Sequence, residues 1–210
     1  MSPLPEQSVI HVVDDDPALR RSLRFLLESV GWKVRLFASA EDFLAVAAVP
    51  AQPCCLLLDI RMPAMSGLEL QQVLRERGIE MPIVFMTGHA DVSMAVQAMK
   101  SGAADFIEKP FKDQAMLDVV AAAVRRSAQT LQEVQKRDGA SAALAGLSPR
   151  EQEVARLVAQ GQPNKLIAAA LGISEKTVHI HRQHVMEKAG VSSAAELARL
   201  MLRADPAAFD

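Results

Sequence analysis

The chain has 210 residues, half of them hydrophobic, which is enough to bury a core and long enough for one large domain or two small ones. Its 23 Lys and Arg against 25 Asp and Glu leave a net charge of −2, so any nucleic-acid binding must come from a local basic face rather than from the chain as a whole. The two cysteines, Cys54 and Cys55, are adjacent in a predicted strand and point to opposite faces, which argues against a disulfide framework. Residues 1–7 hold neither a basic segment nor a long apolar one, and nowhere do about 18 apolar residues follow one another, so a soluble cytoplasmic protein without membrane contact is expected.

From residue 8 to 126 short apolar runs alternate with helical patterns. Strand 9–13 is followed by helix 17–30, strand 33–37 by helix 40–48, and strand 55–58 by helix 67–77. Strand 83–86, helix 91–100, strand 105–108 and helix 112–126 complete five βα units, which predicts an α/β fold with a parallel sheet covered on both faces. Local punctuation agrees: Asp16-Pro17 reads as a cap and first helical residue, Ser39 with Asp42 as an N-cap pair, and Gly31 and Gly102 as helix stops. Residues 127–145 then form a linker, polar and helix-compatible up to Arg137 and broken by Asp138-Gly139-Ala140-Ser141. The remainder, 146–206, shows only helical patterns and opens on Ser148-Pro149-Arg150-Glu151, a capping box with Pro at the first helical position. Three or four short helices, a small all-α domain, fit there.

Four of the five hydrophobic runs of the first domain end on chemistry: Asp14-Asp15-Asp16 after strand 9–13, Asp59 after Cys54-Cys55-Leu56-Leu57-Leu58, Thr87 after strand 83–86, and Lys109-Pro110 after Phe106-Ile107. In a flavodoxin-like doubly wound order, strands one and three are neighbours and Asp14, Asp15 and Asp59 converge at their carboxyl ends. Such a cluster repels itself unless it shares protons or binds a cation, and all-oxygen ligands with room for water suit Mg²⁺. Lys109 adds a positive charge for Asp59 or a phosphoryl oxygen, and Thr87 a hydroxyl donor. A carboxylate nucleophile with these neighbours is suited to phosphoryl transfer, with Asp59 the acceptor. Asp15, Asp59 and the backbone carbonyl of Arg61 are the expected direct metal ligands, with Asp14 acting through water. Asp16 reads as a helix cap, and Cys54 and Cys55 as packing residues.

In the second domain, residues 164–182 read as a helix, a tight turn at Gly172, an N-cap at Ser174 and a second helix, which is helix-turn-helix spacing. Leu166, Ile167, Leu171, Ile173, Val178 and Val185 are assigned to the apolar seam. His179, Arg182, Gln183 and Lys188 are expected to project away from it, with Lys176 and Thr177 at the positive N-terminal end of the second helix, so that base and phosphate contacts both fit.

Together these residues resemble a two-component response regulator of the NarL/FixJ family: a receiver domain carrying Asp14-Asp15, Asp59, Thr87, Phe106 and Lys109-Pro110, then a LuxR-type helix-turn-helix. The segments 59–63, 65–70, 87–92 and 104–111 look especially similar to the FixJ branch, as do Leu147-Ser148-Pro149-Arg150-Glu151 and Pro163-Asn164-Lys165. The resemblance implies a transcription regulator rather than an enzyme, in which a histidine kinase donates a phosphoryl group to Asp59 with Mg²⁺ required. It further implies that Thr87 and Phe106 reorder as the switch, that the Lys109-Pro110 bond is cis, and that the face of helix 91–100, strand 105–108 and helix 112–126 forms a homodimer. Promoter DNA, met by His179, Ile180 and Gln183 at bases and by Lys165, Thr177 and Arg182 at phosphates, and RNA polymerase are the implied output partners. A phosphatase with an aspartyl-phosphate intermediate is disfavoured because Arg61 stands where a second acid belongs; an output domain that binds protein or RNA is the other rival.

Overall fold

The computed structural model describes residues 8–88, 96 and 98–209. The chain divides into two compact units, Met1–Leu131 and Gln132–Asp210. In the first, strands β1 (Val9–Val13), β2 (Lys33–Phe37), β3 (Cys54–Asp59), β4 (Ile83–Thr87) and β5 (Asp105–Glu108) form one parallel sheet in the order β2-β1-β3-β4-β5. Helices α1 (Pro17–Ser29), α2 (Ala40–Leu44) and α3 (Gly67–Glu76) connect the strands, and α4 (Asp113–Ala145) follows β5. The helix expected over 91–100 falls largely outside the described residues, of which Val96 and residues 98–100 are helical.

The apolar runs become strands because both faces of the sheet are covered. All six residues of the central strand β3 are buried. Side-chain alternation sends Ile10, Val12, Cys55, Leu57, Val84 and Met86 into a core with Leu23, Leu27, Met116, Val120 and Val124. Val13, Leu56, Leu58 and Phe85 enter a second core with Phe43, Leu70 and Leu74. Cys54 and Cys55 are buried free thiols whose burial pushes their pKa values up, so they pack rather than react. Asp16 caps α1 by accepting the N–H groups of Ala18 and Leu19 ahead of Pro17, and Ser39 accepts the Asp42 N–H. Helix α2 ends at Leu44, four residues short of the expected 48; Pro50 and Pro53 favour extended backbone after it.

The expected break at 138–141 does not occur, since α4 runs through Gly139 to Ala145. A mid-helix glycine costs about 1 kcal/mol relative to alanine. Alanines follow it directly, and Ala140 is buried while Leu144 packs against the core of the second unit, which outweighs the penalty.

The second unit adds four helices, α5 (Pro149–Ala159), α6 (Asn164–Leu171), α7 (Glu175–Ala189) and α8 (Ala194–Ala204), around Leu147, Val154, Val158, Ile167, Val178, Val185 and Leu197. The Ser148/Glu151 capping box forms, with the Ser148 N–H donating to Glu151 Oε2 at 2.8 Å. Leu166 departs from its core assignment and is 54% exposed. Ile167, one residue and about 100° further round α6, takes the inward place. None of the described helices is long and apolar enough to cross a membrane.

Candidate functional site

Because β1 and β3 are hydrogen-bonded neighbours, with Val13 opposite Leu58, the residues just beyond them meet at one end of the sheet. Asp14, Asp15 and Asp59 each offer a carboxylate oxygen, and these oxygens all lie within 4.8 Å of one another. Asp14 is fully buried, Asp59 8% exposed, and Asp15 open to solvent. Lys109 reaches across from the end of β5, its Nζ donating to Asp14 Oδ2 at 2.8 Å and to Asp59 Oδ1 at 2.7 Å. Asp14 Oδ1 accepts the Asp16 N–H at 2.8 Å, so both Asp14 oxygens are engaged.

Among the described residues Lys109 is the ammonium bonded into this cluster, to two of its three carboxylates. Burial raises the Asp59 carboxyl above its ordinary value; Lys109 pulls it back through its hydrogen bond and charge, and Asp14 and Asp15 push it further up, for a net rise. Burial alone would lower Lys109, but its bonds to Asp14 and Asp59 outweigh that and raise it. The cluster thus keeps surplus negative charge beside an exposed carboxylate, which is the donor chemistry of a hard divalent cation.

Thr87 ends β4, 3% exposed, with its Oγ1 donating to Gly88 O at 3.1 Å. The Lys109 N–H donates to Thr87 O at 2.7 Å, tying hydroxyl and ammonium to one backbone link, and the Lys109-Pro110 peptide is cis. Phe106, next to Phe85 across the β4/β5 ladder, is 44% exposed. Arg61 follows β3 and is exposed. Two contributors escaped the sequence. Arg20 Nη1 donates to Asp14 O at 2.5 Å, a contact between a helix and the preceding loop with no local pattern to announce it. Gly67 starts α3 so close to β3 that a Cβ would lie 2.3 Å from Asp59 O. The signal there was a glycine at the first position of a helix, where nothing in helix propensity asks for one.

In the second unit α6 ends at Gly172, with φ at 65°, and Ser174 caps α7 by accepting the Thr177 N–H at 3.1 Å. Lys165, Lys176, His179 and Gln183 are exposed, Ile180 is 44% exposed, and Thr177 is half-buried. Arg182 is half-buried and its Nη1 donates to Asn164 Oδ1 at 3.3 Å, joining α7 to the start of α6. Lys188 is exposed on α7, away from the apolar seam as expected, and also carries an ion pair. Its Nζ donates to the buried Glu151 Oε2 at 2.7 Å, because the last turns of α7 pack on the start of α5 and a buried carboxylate there demands a partner. That bond, with the Ser148 N–H, holds the Glu151 carboxyl well down, to about 2.

Residues 10–121 match the family described as response regulator receiver domain, and residues 145–201 that described as bacterial regulatory proteins, luxR family. The transcriptional regulatory protein FixJ of Azorhizobium caulinodans is 47% identical over 99% of this chain and 98% of its own length. Nodulation protein W of Bradyrhizobium diazoefficiens is 45% identical over 92% of this chain and 85% of its own. Among solved structures, response regulator StyR superposes with a TM-score of 0.85 at 43% identity, covering 92% of this chain and 98% of its own. Full-length FixJ from B. japonicum gives 0.57 at 40%, covering 93% and 96%.

Proposed function

The chain belongs to the response regulators that join a receiver domain to a LuxR-type DNA-binding domain, and from that premise we propose that Asp59 is the residue that accepts the phosphoryl group. The observation that carries this is the Lys109 ammonium bridging Asp14 and Asp59 at 2.8 and 2.7 Å in a pocket with surplus negative charge. An Asp59 oxygen attacks the phosphorus of a kinase phosphohistidine in line. The P–O bond of an acyl phosphate forms as the P–N bond breaks, and the imidazole leaves with the bond's electron pair and takes a proton. Lys109, already against Asp59 Oδ1, is placed to move onto a phosphoryl oxygen, and Thr87 offers its hydroxyl to another.

The donor set fits Mg²⁺. Both Asp14 oxygens are already engaged, which favours Asp15, Asp59 and the Arg61 carbonyl as direct ligands and Asp14 through water. When bound, Mg²⁺ supplies the positive charge that neutralises the transferring phosphoryl oxygens.

The acyl phosphate adds charge and acceptor oxygens that favour one arrangement of Thr87, Phe106 and Lys109. A coupling of about 1–3 kcal/mol is enough to shift the population. The favoured state pairs two copies through the face of residues 91–100, β5 and residues 112–126, and promotes promoter binding by α7. There His179, Ile180 and Gln183 reach bases, Lys165, Lys176, Thr177 and Arg182 serve phosphates, and RNA polymerase is the further partner at the promoter. Lys188 is left out of this set. The test is the full chain with Mg²⁺ and acetyl phosphate, followed by genome-wide mapping of binding sites for the wild type and Asp59→Asn side by side. Phosphate on the wild type alone, with occupancy that depends on it, is expected; equal occupancy in both would overturn the reading.

A further inference from the structure

Gln71 lies on α3 and is only 7% exposed, an uncharged polar side chain in a core otherwise made of Leu70, Leu74, Phe85 and their neighbours. A buried amide without partners is costly to the fold. Its Nε2 finds them outside its own helix, donating to Ser101 O at 3.3 Å and to Ala98 O at 3.4 Å. Those carbonyls end a helix: Ser101 and Ala103 donate their N–H groups to Ala98 O, and Gly102, with φ at 93°, turns the chain toward β5. Gln71 therefore grips the last turn before the strand that carries Phe106 and leads to Lys109.

Four residues earlier, on the same face of α3, stands Gly67. Its N–H donates to Ile60 O at 2.9 Å, and a Cβ there would lie 2.3 Å from Asp59 O and 3.1 Å from Leu58 and Phe85. One helical turn thus touches the peptide of Asp59 at one end and the carbonyls of 98 and 101 at the other, with no loop between to absorb a displacement.

We propose that Gln71 is a positioning residue of the switch, and that with Gly67 it makes this turn of α3 a second route from Asp59 to β5, beside the one through Thr87 and Lys109. The proposal rests on the reading of Asp59 as the phosphoryl acceptor. Coupling along a contiguous path shows as a changed response at its far end, so the test reads the response to phosphorylation rather than stability. The full chain is treated with acetyl phosphate and Mg²⁺, phosphoryl incorporation is timed, and amide hydrogen exchange of residues 105–109 is compared with and without the phosphodonor.

Gln71→Met keeps the volume and removes the donor; Gln71→Glu keeps the shape and sets negative charge against two carbonyls. Both are expected to take up phosphate at the wild-type rate, while the phosphorylation-dependent change in exchange at 105–109 falls by about fivefold or more, the lower end of allosteric couplings. If Gln71→Met does not fold, Gln71→Glu carries the same expectation. A wild-type-sized response in a folded variant overturns the route through Gln71 and leaves the phosphorylation reading standing. A wild type that takes up no phosphate on Asp59 overturns both.

Discussion

Lys109 Nζ donates to Asp59 Oδ1 at 2.7 Å, yet the carboxyl it holds titrates above its ordinary value of 3.8. Burial, with the neighbouring Asp14 and Asp15 charges, outweighs the ion pair, so the charge of Asp59 is incompletely compensated. One consequence follows from the direction. For stability, a carboxyl raised in the fold favours folding when protonated; that contribution is complete below 3.8 and is lost as pH rises through the raised value. Asp59→Asn is therefore expected to unfold at a higher temperature than the wild type at pH 7, with the difference shrinking as the pH approaches 3.8. A lower midpoint for Asp59→Asn at pH 7 would contradict the balance of charges described here.

Gly67 has no freedom to be anything larger. A Cβ at 2.3 Å from a backbone oxygen cannot be relieved by rotating a side chain, so α3 or the end of β3 must shift. Gly67→Ala is expected to cost about 1–3 kcal/mol, the usual range for overpacking a core. It should also slow phosphoryl uptake, since the atom displaced belongs to Asp59 itself. Urea unfolding and the incorporation rate check the two halves separately, and wild-type values for both would show that the helix start yields without disturbing the acceptor.

The strands, their caps and the strand-end carboxylates were legible because each is a local property: an apolar run of strand length, a Ser or Asp before a helix, an Asp after Leu58. What converged at the sheet's end followed from a flavodoxin-like strand order, which five βα units allow but do not fix, and which the sheet adopts. The illegible parts are contacts between distant segments. Whether Lys109 pairs with Asp14 as well as Asp59, whether Arg20 turns back to the Asp14 carbonyl, and why Gln71 is buried all depend on side chains far apart in the chain. Leu166 and Ile167 are equally apolar, and only the rotation of α6 about its axis decides which is buried. Gly139 misled because its turn-forming habit was weighed without the anchoring of Ala140 and Leu144 beyond it.

That helix offers a direct check. Gly139 sits in the interior of α4, exposed, with nothing within 4 Å of a Cβ built on it and no positive φ. Alanine there meets no clash and restricts the unfolded chain. Gly139→Ala is expected to stabilise the protein by about 1 kcal/mol, the helix-propensity difference. Chemical denaturation followed at the helix signal measures it, and a destabilised variant would mean the helix does not persist through 138–141 in solution.

Lys188, which is paired with Glu151, and the other exposed lysines of the helix-turn-helix should separate in one experiment. Lys188 is bound to Glu151, whose carboxyl is held to about 2 chiefly by that bond, so the pair stabilises the unit at neutral pH and is lost as pH falls from the ordinary 4.5 through about 2. Lys188→Met is accordingly expected to lower the thermal midpoint of the second unit. Where it stays folded, it should leave the dependence of DNA affinity on salt unchanged. Lys165 and Lys176 are exposed, and among the described residues neither is joined to a buried carboxylate. Replacing either with Met should spare the midpoint and reduce the slope of log affinity against log salt by about 1, the loss of one phosphate contact. Salt titrations of the three variants on a mapped binding site distinguish the roles: a reduced slope in Lys188→Met would return it to the DNA-contacting set.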